Sequence, residues 1–344
     1  MLWRALSALF ITAITAFSLN ANAAIYKCLD DSGGIVYQDR PCSGNLQAAT
    51  QPPASDAEPS PGETTPESPA APDTPGSYFF WHAQSATGTV YLLGSVHFGR
   101  QDMYPLPDAV TTAFDNASTL VVEADISALD PMQAGALLAD KAMYTDGGNL
   151  QSNLDPATWE RLTQASTRVG LPVQLLNMQK PWMASMTLAA LAVKQVGYSE
   201  TLGIDMHFLN RARGKKPIVE LEGLGWQADL MANLTDSEQT LMLADAIRMV
   251  EEGSTYFDRM IKAWQQGDTA RLKAFMDESF GDNPTAASLT KKILTDRNAA
   301  MASKIHTLAT DGATLFVVVG AARMIGEHGL VAHLQRQGYT VKQH

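Results

Sequence analysis

Two apolar runs that each end in glycine constrain this chain most. "VYLLGSVHFG" (90–99) runs out into Gly94-Ser95-Val96-His97, and "FVVVGAARMIG" (316–326) repeats the pattern as Gly320-Ala321-Ala322-Arg323. Runs this apolar predict strands covered on both faces, as in a parallel sheet flanked by helices. "YFFWHAQ" and "TVYLLGSVH" flank a turn at Ser85-Ala86-Thr87-Gly88, predicting an antiparallel hairpin. "PLPDAVTTAFDNA" (105–117) predicts a helix starting after Pro107, and "STLVVEADI" (118–126) returns to strand. From Pro131 to about Phe280 helical spacing dominates, as in "PWMASMTLAALAVKQVG", broken by "KKPIVELEGLGWQ" (215–227), a short strand ending in carboxylates. "LTDRNAAMASKIHTLAT" predicts a helix, and "GLVAHLQRQGYTVKQ" a helix closing on a final short strand. The expected fold is α/β: a central mixed sheet over residues 78–344 with a large helical insertion. Ligand sites in such sheets lie beyond the carboxyl ends of the strands.

A different organisation precedes the sheet. Residues 1–23 carry one arginine, then an apolar run, and end in Ala21-Asn22-Ala23, which predicts a secretory signal cleaved between Ala23 and Ala24. An uncleaved membrane helix is the alternative. No later run offers the ~20 apolar residues of a membrane span, so the mature chain is expected to be secreted or periplasmic, without a stable span. Losing Arg4 with the signal takes the net charge from -11 to -12, a balance that excludes nucleic acid and anionic lipid as expected partners. Cys28 and Cys42, the only cysteines, read in that setting as a disulfide; zinc is the alternative, but no His or Cys neighbour completes a ligand set. They bracket "IYKCLDDSGGIVYQDRPC" (25–42), whose alternation around Asp30-Asp31-Ser32-Gly33-Gly34 predicts a hairpin within a small disulfide-linked β module, 24–50. Its YK-x-x-D-x-x-G-x-x-x-Y-x-D-x-P pattern resembles a small amino-terminal domain of unknown function found on many exported bacterial proteins. Residues 51–77 hold eight of the 17 prolines and five acids without a base, predicting a disordered Pro-rich linker.

By the strand-end rule four side chains converge: His97, Glu123, Glu222 and Arg323. Gly94 and Gly320 are expected to let the backbone turn sharply and bring them over the sheet edge. Each also has a plain structural reading. His97 is then a hydrogen-bonded histidine at a strand end, Glu123 and Glu222 are capping or ion-paired carboxylates, and Arg323 neutralises those carboxylates. His82, His207, His306 and His333 read as structural. No Gly-x-Ser-x-Gly motif points to a serine nucleophile.

The order of "YLLGSVHFG", "LPDAV", "LVVEADI", "KPWMAS", "LGIDMHFLNRARGKKPIVELEGLGWQ", "DRNAAMASKI" and "VVVGAARMIGEHGL" resembles the TraB/GumN family, which also contains the Tiki proteins, from about Tyr78 to the carboxyl terminus. That family carries two Gly-x-x-His motifs with carboxylates at its proposed active site, and Tiki proteins are metal-dependent proteases. The resemblance implies catalytic roles for His97, Glu123, Glu222 and Arg297, and a manganese- or cobalt-like divalent ion on His97, Glu123 and Glu222. Arg297 has a plain alternative in pairing with Asp296 or a neighbouring loop. The chain departs from the family at Arg323, where the second histidine is expected. Arginine has no lone pair for a cation, and its charge would repel a divalent ion by roughly several kcal/mol at about 5 Å and an effective dielectric near 20. His328, five residues on, is the substitute ligand the sequence offers.

Three functions follow. One is a metal-dependent hydrolase of peptide-like bonds. Another is a metal-free hydrolase with His97 as general base and Arg297 or Arg323 stabilising the oxyanion. The last is a non-catalytic periplasmic protein binding a peptide or small-molecule ligand through a degenerate site.

Overall fold

The computed structural model describes residues 26–29, 35–38, 47–48, 78–128, 131–278 and 283–344. They fall into two units, each taken by itself. In the smaller, β1 (Tyr26–Leu29) pairs antiparallel with β2 (Ile35–Gln38) and with β3 (Gln47–Ala48), in the order β2-β1-β3. The signal segment with its Ala23/Ala24 junction, the Cys28–Cys42 pairing and the linker 51–77 fall outside the described residues.

The larger unit is built on one mixed sheet of β4 (Phe80–Gln84), β5 (Gly88–Ser95), β6 (Thr119–Val122), β7 (Ile218–Glu220), β8 (Ala313–Gly320) and β9 (Thr340–Gln343). Its order is β7-β6-β8-β5-β4-β9, with β7, β6, β8 and β5 parallel and the β4 and β9 pairings antiparallel. The two glycine motifs end neighbouring strands: Gly94 pairs with Val319 and Ser95 with Gly320. Their apolar character follows from burial on both faces, with Val90, Leu92, Val317, Val318 and Val319 all fully buried. Phe316 of β8 packs against Phe114 and Phe208, at ring separations of 5.4 and 4.8 Å, from the helices Asp108–Asn116 and Ile204–Ala212.

The helical insertion is held mainly by two long helices, Pro181–Gln195 and Asp236–Glu252, lying along each other. The first is apolar nearly all round and accordingly buried nearly all round. The second opens with a capping box, in which Glu238 N–H donates to Thr235 Oγ1 at 3.3 Å and Thr235 N–H to Glu238 Oε2 at 2.8 Å. A π-helical turn, Lys291–Thr295, leads into the helix Asp296–Leu308. At the far edge of the sheet β9 pairs with β4, and the ends of the unit join there: Tyr78 N–H donates to the His344 carbonyl and His344 N–H to the Phe80 carbonyl.

The expected role of the two glycines needs correction. Neither has the left-handed φ that only glycine adopts readily; Gly320 sits at φ -50°, ψ 135°. The turn after β8 is made instead by a 3-10 segment, Ala321–Met324. Gly94 is needed for packing, because a Cβ there would lie 2.6 Å from Phe79 Cδ1 and 3.0 Å from Ala321 Cα.

Candidate functional site

Strand ends and one helix start bring the sequence-predicted side chains together. β5 leads to His97, β6 to Glu123, β7 to Glu222 and β8 to Arg323, while Arg297 comes from the first turn of Asp296–Leu308. His97, Glu123, Arg297 and Arg323 are only 5, 3, 2 and 1% exposed. Buried charges of this number must be paired and hydrogen-bonded.

They are paired in an alternating chain. Arg297 grips Glu222 with a two-bond fork, Nε to Oε1 at 2.8 Å and Nη2 to Oε2 at 2.5 Å. The same Nη2 donates to Glu123 Oε2 at 3.1 Å, and Nη1 donates to the Ile293 carbonyl of the π-helical turn at 3.1 Å. Glu123 Oε1 then accepts from Arg323 Nε at 2.6 Å and from Gly320 N–H at 2.9 Å. Arg323 Nη1 donates to Asn298 Oδ1 at 3.1 Å, and Asn298 Nδ2 to the His328 carbonyl at 2.9 Å. Burial works to raise the Glu123 pKa, but the Arg323 and Arg297 guanidiniums outweigh it and hold the carboxyl at about 2. Burial, with Arg323 nearby, pulls the Arg297 pKa below its ordinary value. The indole of Trp226, itself 47% exposed, lies with its ring 5.6 Å from Arg297 Cζ.

His97 belongs to a second set of contacts. Its Nδ1 lies 2.6 Å from Asp205 Oδ2, and Asp205 Oδ1 accepts the Ser95 hydroxyl at 2.8 Å. Asp205 stands in the first turn of Ile204–Ala212, which backbone bonds hold against the His97 segment: Ile204 N–H to the Val96 carbonyl and Gly99 N–H to the Ser199 carbonyl, both at 2.9 Å. Gly203 permits that approach, since a Cβ there would come within 2.4 Å of the His97 carbonyl oxygen. Burial works to lower the His97 pKa, but the ion pair and hydrogen bond with Asp205 prevail and raise it above 6.5. His97 Nε2, Arg323 Nη2 and Gln227 Oε1 are among the buried polar atoms of this region that have no hydrogen-bond partner.

The donors expected to hold a divalent ion do not fit one. Glu123 and Glu222 turn their oxygens to guanidinium N–H groups. Among the described residues no group of three or more His, Cys, Asp or Glu is arranged to hold a metal ion. His328 does not substitute, because its side chain is 58% exposed beside Glu327. Of the plain readings of Arg297, the pairing with Asp296 needs correction: Asp296 pairs with Lys291 at 2.6 Å, leaving Arg297 to Glu123 and to Glu222 of the loop after β7. Arg323 lies on Glu123 and Arg297 on Glu222, so the neutralisation expected of one arginine is divided between two.

Three residues were not singled out in the sequence. Asp205 stands inside "LGIDMHF", where a carboxylate early in a helix reads equally as a capping group. Asn298, beside Arg297 on the same helix, carries no motif of its own. Gln227, 1% exposed, donates from Nε2 to Glu222 Oε2 at 3.0 Å and follows the strand "PIVELE" within one helical turn, the only hint available.

A parallel-centred α/β sheet carrying an alternating glutamate–arginine chain and a His–Asp pair at its carboxyl edge defines the class of protein. The chain belongs to the TraB/PrgY/gumN family, whose model matches residues 79–343. A model of a domain of unknown function (DUF4124) matches residues 13–75. The uncharacterized protein YbaP of Escherichia coli (strain K12) is 27% identical over 260 residues, 74% of this chain and 92% of its own length. YbaP of Shigella flexneri matches to the same extent. An uncharacterized protein of Treponema pallidum (strain Nichols) is 20% identical over 258 residues, 72% of this chain and 77% of its own. No solved structure matches.

Proposed function

We propose that this protein is an exported hydrolase of peptide-like bonds that works without a metal, with His97 as general base. The observation that carries the reading is the His97–Asp205 pair. Asp205 holds Nδ1, which fixes the proton there in the neutral imidazole and leaves Nε2 as the free lone pair, buried beside Glu123 and Arg323. An imidazole so oriented takes a proton from water as the water oxygen bonds to the substrate carbonyl carbon. The oxyanion that develops is stabilised by Arg323 or Arg297. His97 Nε2–H then returns the proton to the departing nitrogen, the C–N bond breaks, and an amine and a carboxylic acid leave. Glu123 and Glu222 hold the guanidiniums in place. Asp205 is a positioning residue.

Export rests on the residue 1–23 pattern and the amino-terminal match. Among the described residues no helix is long and apolar enough to cross a membrane. Sequencing the amino terminus of envelope-fraction protein should give Ala24. A second reading, a non-catalytic binding protein, is favoured by the close Arg323–Glu123 pair, which neutralises a carboxylate that a metal enzyme would need.

The deciding experiment is a peptide-library cleavage screen of the mature protein with and without chelator, alongside calorimetric titration with manganese, cobalt and zinc. Cleavage that persists in chelator and disappears in His97→Ala is the expected result. Cleavage requiring a metal, with near one equivalent bound, would return the reading to a metallohydrolase. Absence of any turnover would favour the binding protein.

A further inference from the structure

Gly320 poses a question that its backbone does not answer. At φ -50° and ψ 135° any residue is comfortable, and its N–H bond to Glu123 Oε1 needs no glycine. What sets the position apart is its surroundings. Apart from its two chain neighbours, a Cβ built there meets only Glu123 Oε1, at 3.5 Å, and His97 Nε2, at 3.8 Å, within 4 Å among the described residues. Glycine therefore keeps a methyl-sized space whose nearest walls are two polar atoms of the site. One of these, His97 Nε2, is buried and has no partner.

Another unpartnered atom, Arg323 Nη2, belongs to a guanidinium that already reaches the same Glu123 oxygen. Arg323 donates to Glu123 Oε1 through Nε, so the guanidinium edge formed by Nε and Nη2 is the edge turned toward this corner, and Nη2 is buried without a partner. Resting on the hydrolase reading, we propose that the space beside the Gly320 Cα is the seat of one oxygen atom, the attacking water. There it donates one hydrogen to His97 Nε2 and accepts one from Arg323 Nη2. The donors and acceptors balance: Nδ1–H is directed to Asp205, Nε2 offers a lone pair, and Nη2 offers a hydrogen. A water held this way has its oxygen lone pair free for a carbonyl carbon while its proton already lies on the base. A buried polar space of this kind suits a water with at least two partners.

Gly320→Ala tests the seat, because the added methyl would occupy it at ordinary van der Waals distances and in an allowed backbone conformation. The full mature chain and the variant should be compared by peptide-library turnover, by thermal melting and by crystal structures fine enough to show ordered solvent. The expected result is a solvent oxygen within hydrogen-bond reach of His97 Nε2 and Arg323 Nη2 in the native protein and absent in the variant. Turnover should fall by about 100-fold or more with the melting temperature nearly unchanged. Native turnover in the variant would overturn the seat and leave the hydrolase reading standing. If the native protein shows no turnover, the hydrolase reading fails, and the native solvent position decides the seat: an oxygen there upholds it, and none there overturns it. That last measurement does not require the variant to fold.

Discussion

Asp205 sets what His97 can do. Replacing it with asparagine keeps the shape but removes the charge that raises the imidazole pKa and selects its tautomer. Asp205→Asn should therefore lower kcat by about 100-fold or more with little change in KM. An NMR titration should show the His97 pKa falling from above 6.5. Activity that needs the neutral base should rise with pH through that raised value, and the variant's limb should move to lower pH. The stability of the same pair runs the other way: it is fully present below the unfolded pKa near 6.5 and lost as pH rises through the folded value. Glu123 behaves oppositely, since its folded pKa of about 2 lies below the ordinary glutamate value of 4.5. Its contribution is present above about 4.5 and lost as pH falls toward about 2. Glu123→Gln should leave two buried guanidiniums undercompensated and cost about 3–5 kcal/mol at neutral pH. Urea unfolding across pH 2–7 should also show a flatter acid limb for this variant.

At the scale of elements, the site depends on a π-helical turn and on the cap of a distant helix. Glu238, 2% exposed, closes the capping box of Asp236–Glu252 and also accepts from Ser288 Oγ and Lys292 Nζ, both at 2.8 Å. Lys292 lies in the π-helical turn whose Ile293 carbonyl receives Arg297. Glu238→Ala should lose both the cap and the tie, costing about 2–4 kcal/mol in chemical denaturation. Much at this scale was legible in the sequence. The hairpin at Ser85–Gly88, the helix after Pro107 and the two buried strands follow from local patterns that period and turn chemistry fix. The side chains brought together at the strand ends followed from the same logic. Three things were not legible. Asp205 acts across 108 positions of chain, so no local spacing announces it. The role of Gly94 depends on Phe79 and Ala321, which approach it only in the folded sheet. The alternation of two glutamates with two arginines is a property of four separate elements, so no single stretch of sequence displays it.

At the scale of the whole unit, the sheet is closed by its last strand. Gln343 Nε2 donates to the Tyr78 and Gly267 carbonyls at 2.9 and 2.8 Å, beyond the ladder that β9 forms with β4. Removing residues 340–344 would leave β4 as an unpaired edge and should lower the urea midpoint markedly, with aggregation on standing, because an exposed edge invites pairing with another chain. The same closure bears on how the chain can be cut. Tyr78 and His344 are hydrogen-bonded partners, so a few residues would join them without strain. The unit is then a ring in all but covalent connection, and the order in which its strands are strung becomes a matter of choice. Reopened at the exposed Asp146-Gly147 turn, a permuted chain would place its ends far along the sequence from every residue of the glutamate–arginine chain while leaving the sheet order unchanged.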